Sequence, residues 1–113
     1  MRKLLLCLTL AGLVAVPYAF AEEGGGAKNL QILPKDMPKA EIKKAMKKIA
    51  AALGVQCEHC HDTDDFAKDT KNKETARQML KMTAEINKEF FKGENRVGCI
   101  TCHNGAKEPK KLN

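Results

Sequence analysis

The sequence predicts a small, mostly α-helical domain in which two methionine-bearing helices are each followed by a cysteine-containing turn. Two segments of the chain carry apolar residues at helical spacing. After each segment comes a glycine and then, within a few residues, a Cys-x-x-Cys-His motif. The 113 residues leave room for one domain. The order of helix, turn and motif therefore occurs twice, as a weak internal repeat of architecture.

The first predicted helix begins near Pro38, a residue that suits a first helical turn, and ends at Gly54, which suits a left-handed cap. Its apolar positions are Ile42, Met46, Ile49 and Leu53. Lysines occupy the opposite face. The preceding residues, Asn29 to Pro34, are expected to form a short extended segment.

The second predicted helix runs from about Lys73 to Phe91, after a polar loop over residues 62–72. Asn72 is its expected N-cap, and Gly93 follows its end. The predicted apolar face consists of Met79, Met82, Ile86 and Phe90.

The N-terminal 21 residues have the pattern of a secretory signal peptide. Arg2 and Lys3 precede an apolar run, and Ala19-Phe20-Ala21 fits the small-x-small cleavage pattern. The alternative, a membrane anchor, needs a longer apolar run. The sequence predicts a signal peptide over 1–21, a flexible glycine-rich leader over 22–28, a domain over 29–113, and a periplasmic or otherwise secreted protein with no membrane span after cleavage.

The charge of the chain does not indicate nucleic-acid binding. The formal net charge is +6, which falls to +4 once Arg2 and Lys3 leave with the signal peptide. Basic residues are interspersed with acidic ones, as on solvated helix faces. No ladder of aromatic residues accompanies them, so base stacking has no support.

Both Cys-x-x-Cys-His motifs are attachment signatures for c-type haem. Two cysteines three apart can add to the two haem vinyl groups, and the following histidine then lies under the iron. The predicted attachment residues are Cys57, Cys60, Cys99 and Cys102, and the predicted proximal ligands are His61 and His103. The sequence thus predicts two covalently bound haem c groups.

Two other readings of paired cysteines fit less well. A zinc ribbon usually separates its pairs by about 15 to 20 residues, whereas 38 residues lie between Cys60 and Cys99. A ribbon would also not need a histidine after each pair. A thioredoxin-like pair would open a helix in a βαβ unit, and no such strands are predicted.

Each iron needs a sixth ligand, and methionine is the natural candidate. His59 is tethered within the first attachment turn and is interpreted as an exposed histidine. Met46 begins a stretch of helix about 10 Å long that ends just before the first motif, and Met37, between an aspartate and a proline, is the poorer candidate. For the second haem, Met79 and Met82 share a helix face, and spacing alone does not choose between them.

At these residues the chain resembles the cytochrome c subunit family of photosynthetic reaction centres. The similarity spans roughly Leu30 to Gly105. It is most specific in the helix Ala76–Asn87, which resembles an Arg-x-Met-Leu-x-Met-Thr-x-x-Ile-Asn pattern, and in the attachment segment Val97–Gly105. The family carries four haems, whereas this chain has two motifs.

The resemblance implies ligands as well as a fold. It implies that Met79 is the distal ligand of the second haem, with Met82 packing beside it. It also implies a methionine helix before the first attachment turn, which matches Met46. A photosynthetic partner does not carry over from the resemblance.

The predicted function is one-electron transfer between redox partner proteins, without catalysis, because both axial positions of each iron are filled. One alternative is a peroxidase-like haem enzyme with one open iron. Another is a binding module that docks through its lysine face. Lysines on the outer face of the first helix could guide an acidic partner, although such a pattern is more often a solvated surface. These are Lys43, Lys44, Lys47 and Lys48.

Overall fold

The computed structural model describes residues 27–111, and this part of the chain is helical without any strand. In chain order it contains α1 (Lys39–Leu53), a 3-10 turn (Cys57–His59), α2 (Lys71–Phe90) and α3 (Cys99–His103). The predicted mostly α fold, with two long helices each followed by an attachment turn, is confirmed. The predicted signal peptide and most of the leader lie outside the described residues. Within residues 27–111, no helix is long and apolar enough to cross a membrane.

Helix α1 ends where the sequence predicts, at Gly54. This residue has φ 63°, and the Val55 amide donates to the Ala50 carbonyl at 3.0 Å, which closes the helix with a Schellman motif. A Cβ at Gly54 would overlap the Gly105 carbonyl oxygen. The amide of Gly105 donates to Ala52 at 2.8 Å. The glycine therefore serves both the left-handed turn and the close approach of the segment after α3.

Helix α2 begins at Lys71, two residues before the predicted start, and its N-cap is Thr70 and not Asn72. The extended Thr70 accepts a hydrogen bond from the Lys73 amide at 3.2 Å and donates its hydroxyl proton to the Cys60 carbonyl at 2.6 Å. Asn72 lies in the first turn, and its side-chain amide donates to the His59 carbonyl at 2.8 Å. The prediction failed because both side chains are engaged by the attachment turn, which is distant in sequence.

The segment before α1 forms turns and bends instead of the expected extended segment. Asn29 has φ 64°, and its side-chain amide donates to the Ala67 carbonyl at 2.7 Å and to Asp69 at 2.8 Å. These bonds tie the start of the described chain to the loop before α2. The turning backbone has no neighbouring strand to pair with in the described part of the chain.

The described residues contain almost no conventional core. Ile42 and Ala52 are the only buried apolar residues among them. No side chain in the described part of the chain is less than 2% exposed. Helix α3 packs against both α1 and α2, whereas α1 and α2 make little direct contact with each other. Phe90, predicted on the apolar face of α2, is 74% exposed. The apolar faces of the two long helices instead line two cavities.

Candidate haem sites

The first cavity, of about 680 Å³, lies between α1, α2 and the turns before α1. Cys57, Cys60, His61 and Met46 all line it. Met46 is the one methionine in this lining among the described residues. Met37, the poorer candidate, lines neither cavity. The structure thus brings together every residue that the sequence assigns to the first haem.

The second cavity, of about 410 Å³, lies between α1, α2, α3 and residues 107–109. Cys99, Cys102 and His103 line it, and so do both Met79 and Met82. These methionines are 41% and 43% exposed because the cavity is open to solvent. The geometry therefore brings both candidate distal ligands to this site without choosing between them.

Both cavities suit a flat apolar cofactor. Their volumes fall within the range of about 300 to 1,000 Å³ that is usual for small-molecule and cofactor sites. Aliphatic side chains from both long helices dominate the linings, among them Ile49 and Leu80. Since these faces have no other apolar cover in the described residues, the cavities match what two haems would fill.

The backbone of each attachment turn places its two cysteines and its histidine on one side. In the first turn, the amides of Cys60 and His61 donate to the Cys57 carbonyl at 3.2 and 2.9 Å. In the second, the motif is the short helix α3. The Thr101 hydroxyl accepts a hydrogen bond from the Gly98 amide at 3.1 Å just before it. Helical turns of this kind bring positions i, i+3 and i+4 together, as attachment requires.

Each histidine predicted to be a proximal ligand lies close to a backbone carbonyl. The Nδ1 atom of His61 lies 3.1 Å from the Phe66 carbonyl oxygen, and that of His103 lies 3.0 Å from the Ala106 oxygen. The Phe66 ring also packs near His61, with the centroids 5.2 Å apart. When Nδ1 carries the proton and donates to the carbonyl, Nε2 is left to bind a metal. The orientation of both rings thus fits the predicted proximal role.

A single layer of side chains separates the two cavities. Four residues line both of them: Ile49, Cys60, Ala76 and Leu80. Cys60, a predicted attachment residue of the first site, is therefore also part of the wall of the second cavity. Burial raises the pKa of its thiol, because desolvation disfavours the thiolate.

His59 lies in a different place from the one that its tether suggested. It is half-buried and lines the second cavity, although it belongs to the first attachment turn. The hydrogen bond from Asn72 to the His59 carbonyl holds this turn against α2. The expectation of an exposed histidine was wrong because α2 packs beside the turn, which the local sequence does not reveal.

Two basic residues of α2 line the first cavity and were not singled out from the sequence. Lys73 and Arg77 are one helical turn apart, and each side chain is only 13% exposed. The Arg77 guanidinium lies 2.8 Å from Asp69 and holds the pKa of that carboxyl below its ordinary value. The sequence could have indicated this position, because Lys73 and Arg77 lie three residues before Ala76 and Leu80, respectively, and so share a helix face with them.

Asn87 organises the approach to the second attachment turn. It is 7% exposed, and its side-chain amide donates to the Val97 carbonyl at 2.7 Å. Its side-chain oxygen accepts from the Arg96 amide at 3.1 Å and from the Val97 amide at 2.8 Å. One side chain therefore fixes the segment that leads into Cys99.

Two attachment turns, each opening on its own cavity in a small helical domain, define the class of protein as a c-type cytochrome. The family model described as the photosynthetic reaction centre cytochrome C subunit matches residues 16–112. The chain belongs to this family.

Two relatives illustrate the similarity. The chain is 36% identical over 100 residues to cytochrome c-554 of Chloroflexus aurantiacus, an alignment that covers 82% of this chain and 24% of that protein. It is 28% identical over 130 residues to the photosynthetic reaction center cytochrome c subunit of Rubrivivax gelatinosus, covering 88% of this chain and 36% of that protein. The chain thus spans well under half the length of either relative.

Replacing Asn87 with alanine should destabilise the second site more than the first. The change removes the hydrogen bonds that one side chain makes to the Val97 carbonyl and to two part-buried amides, and each such bond contributes about 0.5–1.5 kcal/mol. Thermal unfolding of the mature protein should show a lower midpoint for Asn87→Ala. The exposed Asn95 supplies the control, because its side chain makes only one long bond, 3.4 Å from Asn87. Equal midpoints for Asn87→Ala and Asn95→Ala would contradict this role.

Proposed function

We propose that this chain is a dihaem c-type cytochrome that transfers single electrons between redox partner proteins outside the cytoplasmic membrane. The observation that carries the proposal is the pairing of motif and cavity. Each Cys-x-x-Cys-His turn opens on a cavity that a methionine from a long helix also lines. The relatives named above are cytochromes by name, which supports the same chemistry.

The residues proposed to hold each haem are those predicted from the sequence. The thiols of each cysteine pair form the thioether links, and the histidine Nε2 and methionine sulfur supply the axial ligands. The first set is Cys57, Cys60, His61 and Met46, and the second is Cys99, Cys102, His103 and Met79. A covalently held haem c supplies a one-electron redox centre.

Electron transfer suits these sites better than catalysis. With a histidine and a methionine on each iron, no coordination position remains for a substrate. The shared wall of Ile49, Cys60, Ala76 and Leu80 places the two sites side by side, as a carrier with communicating centres requires. The peroxidase-like alternative needs one methionine to be absent from its iron.

The location outside the cytoplasmic membrane rests on residues 1–21. Their charged start, apolar run and small-residue cleavage pattern support export. Covalent haem attachment is proposed to follow export, and the partners are proposed to be soluble or membrane-bound redox proteins in the same compartment.

Substitution of the distal methionines tests the ligand assignment. Met46→Ala and Met79→Ala should each remove about half of the weak far-red absorption that iron–thioether bonding gives in the oxidised protein. Each should also lower one of two reduction potentials, because the axial ligand sets the potential. Optical redox titration of the purified protein measures both effects.

Met82→Ala is the matched control, since Met82 lines the same cavity one helical turn from Met79. It should keep the far-red absorption. A loss with Met82→Ala and not with Met79→Ala would reassign the ligand. If the unmodified reduced protein bound carbon monoxide rapidly and turned over peroxide, one iron would have an open position. The protein would then be a peroxidase-like enzyme and not an electron carrier.

The lysines of α1 fall into two groups. Lys43 and Lys47 line the first cavity, together with Lys39 four residues before Lys43, so the prediction that the lysines lie only on the outer face is wrong for these residues. Lys44 and Lys48 line neither cavity. We propose that the first group attracts anionic partners to the first site, because charges near a redox centre steer encounter.

Charge reversal in these groups gives a direct comparison. The pair Lys43→Glu and Lys47→Glu should slow reduction of hexacyanoferrate(III) by the reduced protein about tenfold at low salt. The same pair should speed the reaction with hexaammineruthenium(III), and both effects should shrink as salt rises. Stopped-flow absorbance measures the rates. Equal slowing by Lys44→Glu with Lys48→Glu would show a general charge effect and no steering to the first site.

A further inference from the structure

Lys73 is a cation enclosed by backbone carbonyls. Its side chain is 13% exposed, and its Nζ atom donates to the carbonyls of Phe66, Ala67 and Lys68, each at 3.0 Å. The nearest carboxylate, Asp69, is 3.8 Å away and pairs more closely with Arg77 at 2.8 Å. The three carbonyls are thus the main partners of this ammonium group.

One of these carbonyls is shared with a proposed iron ligand. The Phe66 oxygen accepts from Lys73 Nζ at 3.0 Å and lies 3.1 Å from His61 Nδ1. With Nε2 on the iron, Nδ1 carries the proton and is the donor. A single oxygen therefore serves the proximal imidazole and an ammonium group together.

The second site lacks this arrangement. His103 Nδ1 lies 3.0 Å from the Ala106 oxygen, and no lysine or arginine within residues 27–111 donates to that oxygen. The two proximal histidines have the same kind of acceptor at nearly the same distance. They differ because the Lys73 ammonium group contacts the carbonyl beside His61, whereas no such group within the described residues contacts the carbonyl beside His103.

We propose that Lys73 is a positioning residue at the first haem site. By donating to the Phe66 carbonyl, Lys73 raises the reduction potential of the haem in that site. The inference rests on the proposed function, in which His61 binds iron. A carbonyl acceptor at Nδ1 makes the imidazole a more basic ligand, which favours oxidised iron. The ammonium draws electron density from the same oxygen and so weakens that effect. Its own positive charge also disfavours the additional charge of the oxidised site.

If Lys73 had a purely structural role, its replacement would change the reduction potential of the first site in the opposite direction. Lys73 also clamps the loop over residues 66–68. If it did no more than this, its loss would release the Phe66 carbonyl from His61. The imidazole would then become less basic, and the potential of the first site would rise. The direction of the shift therefore separates the two roles.

The test uses the full chain matured with haem and carrying Lys73→Met. In an optical redox titration, the potential of the first site should fall. The ratio of reduced to oxidised first site at fixed ambient potential should drop about tenfold, which is 59 mV for one electron. The potential of the second site should stay in place. Met79→Ala identifies the second transition, because it acts on that site.

Two further variants control the experiment. Lys73→Arg keeps a charged donor and should restore most of the lost potential. Lys71→Met removes the same charge from an exposed residue in the same helical turn that lines neither cavity, and should leave both potentials in place. If Lys73→Met does not keep both haems, Lys73→Gln carries the test, with a smaller fall expected because it retains a neutral donor.

A first-site potential that stays in place or rises in Lys73→Met and Lys73→Gln would overturn the proposal. So would an equal fall at both sites or an equal effect of Lys71→Met. The intact mass of the denatured unmodified protein is measured alongside. A mass without two haems would count against the proposed function itself, whereas two haems with an unmoved potential would count against Lys73 alone.

Discussion

The structure depends on the need to cover two apolar helix faces that do not cover each other. Removing apolar surface from water is the main favourable term in folding. Among the described residues, Ile42 and Ala52 are the only apolar residues that the polypeptide itself buries. The remaining apolar surface of α1 and α2 faces two cavities that the attachment turns adjoin. A small chain with so little core needs another component to complete it, and we propose that two covalent haems, one at each attachment turn, are that component.

The same residues that shape the helices also place the attachment turns. Thr70 caps α2 and bonds the first turn at Cys60, and Asn72 bonds that turn at His59. Gly54 ends α1 and meets the segment after α3, while Asn87 fixes the approach to the second turn. Because Thr70 and Gly54 each serve both a helix end and a contact with a segment at one of the sites, folding and site formation are coupled. This coupling is common where a bound group completes the core.

The local pattern of the sequence was enough to predict the two long helices and the attachment turn that follows each of them. Helix α1 follows from its apolar spacing and from Gly54, and the motifs place their own cysteines and histidines. The errors arose where a distant segment decides the outcome. Thr70 replaced Asn72 as the cap of α2 because the attachment turn engages both side chains. His59 lines the second cavity because α2 packs beside the attachment turn. Lys73 and His61 share the Phe66 carbonyl only when the loop between them is folded.

We propose that two covalently attached haems complete the fold. The most direct measurement is the intact mass of the mature protein after denaturation, produced in a host that matures c-type cytochromes. We expect a chain beginning at Glu22 that retains two haem masses, with one lost when Cys57 and Cys60 are both changed to alanine. A mass equal to the bare polypeptide, or to the polypeptide with one haem, would contradict it.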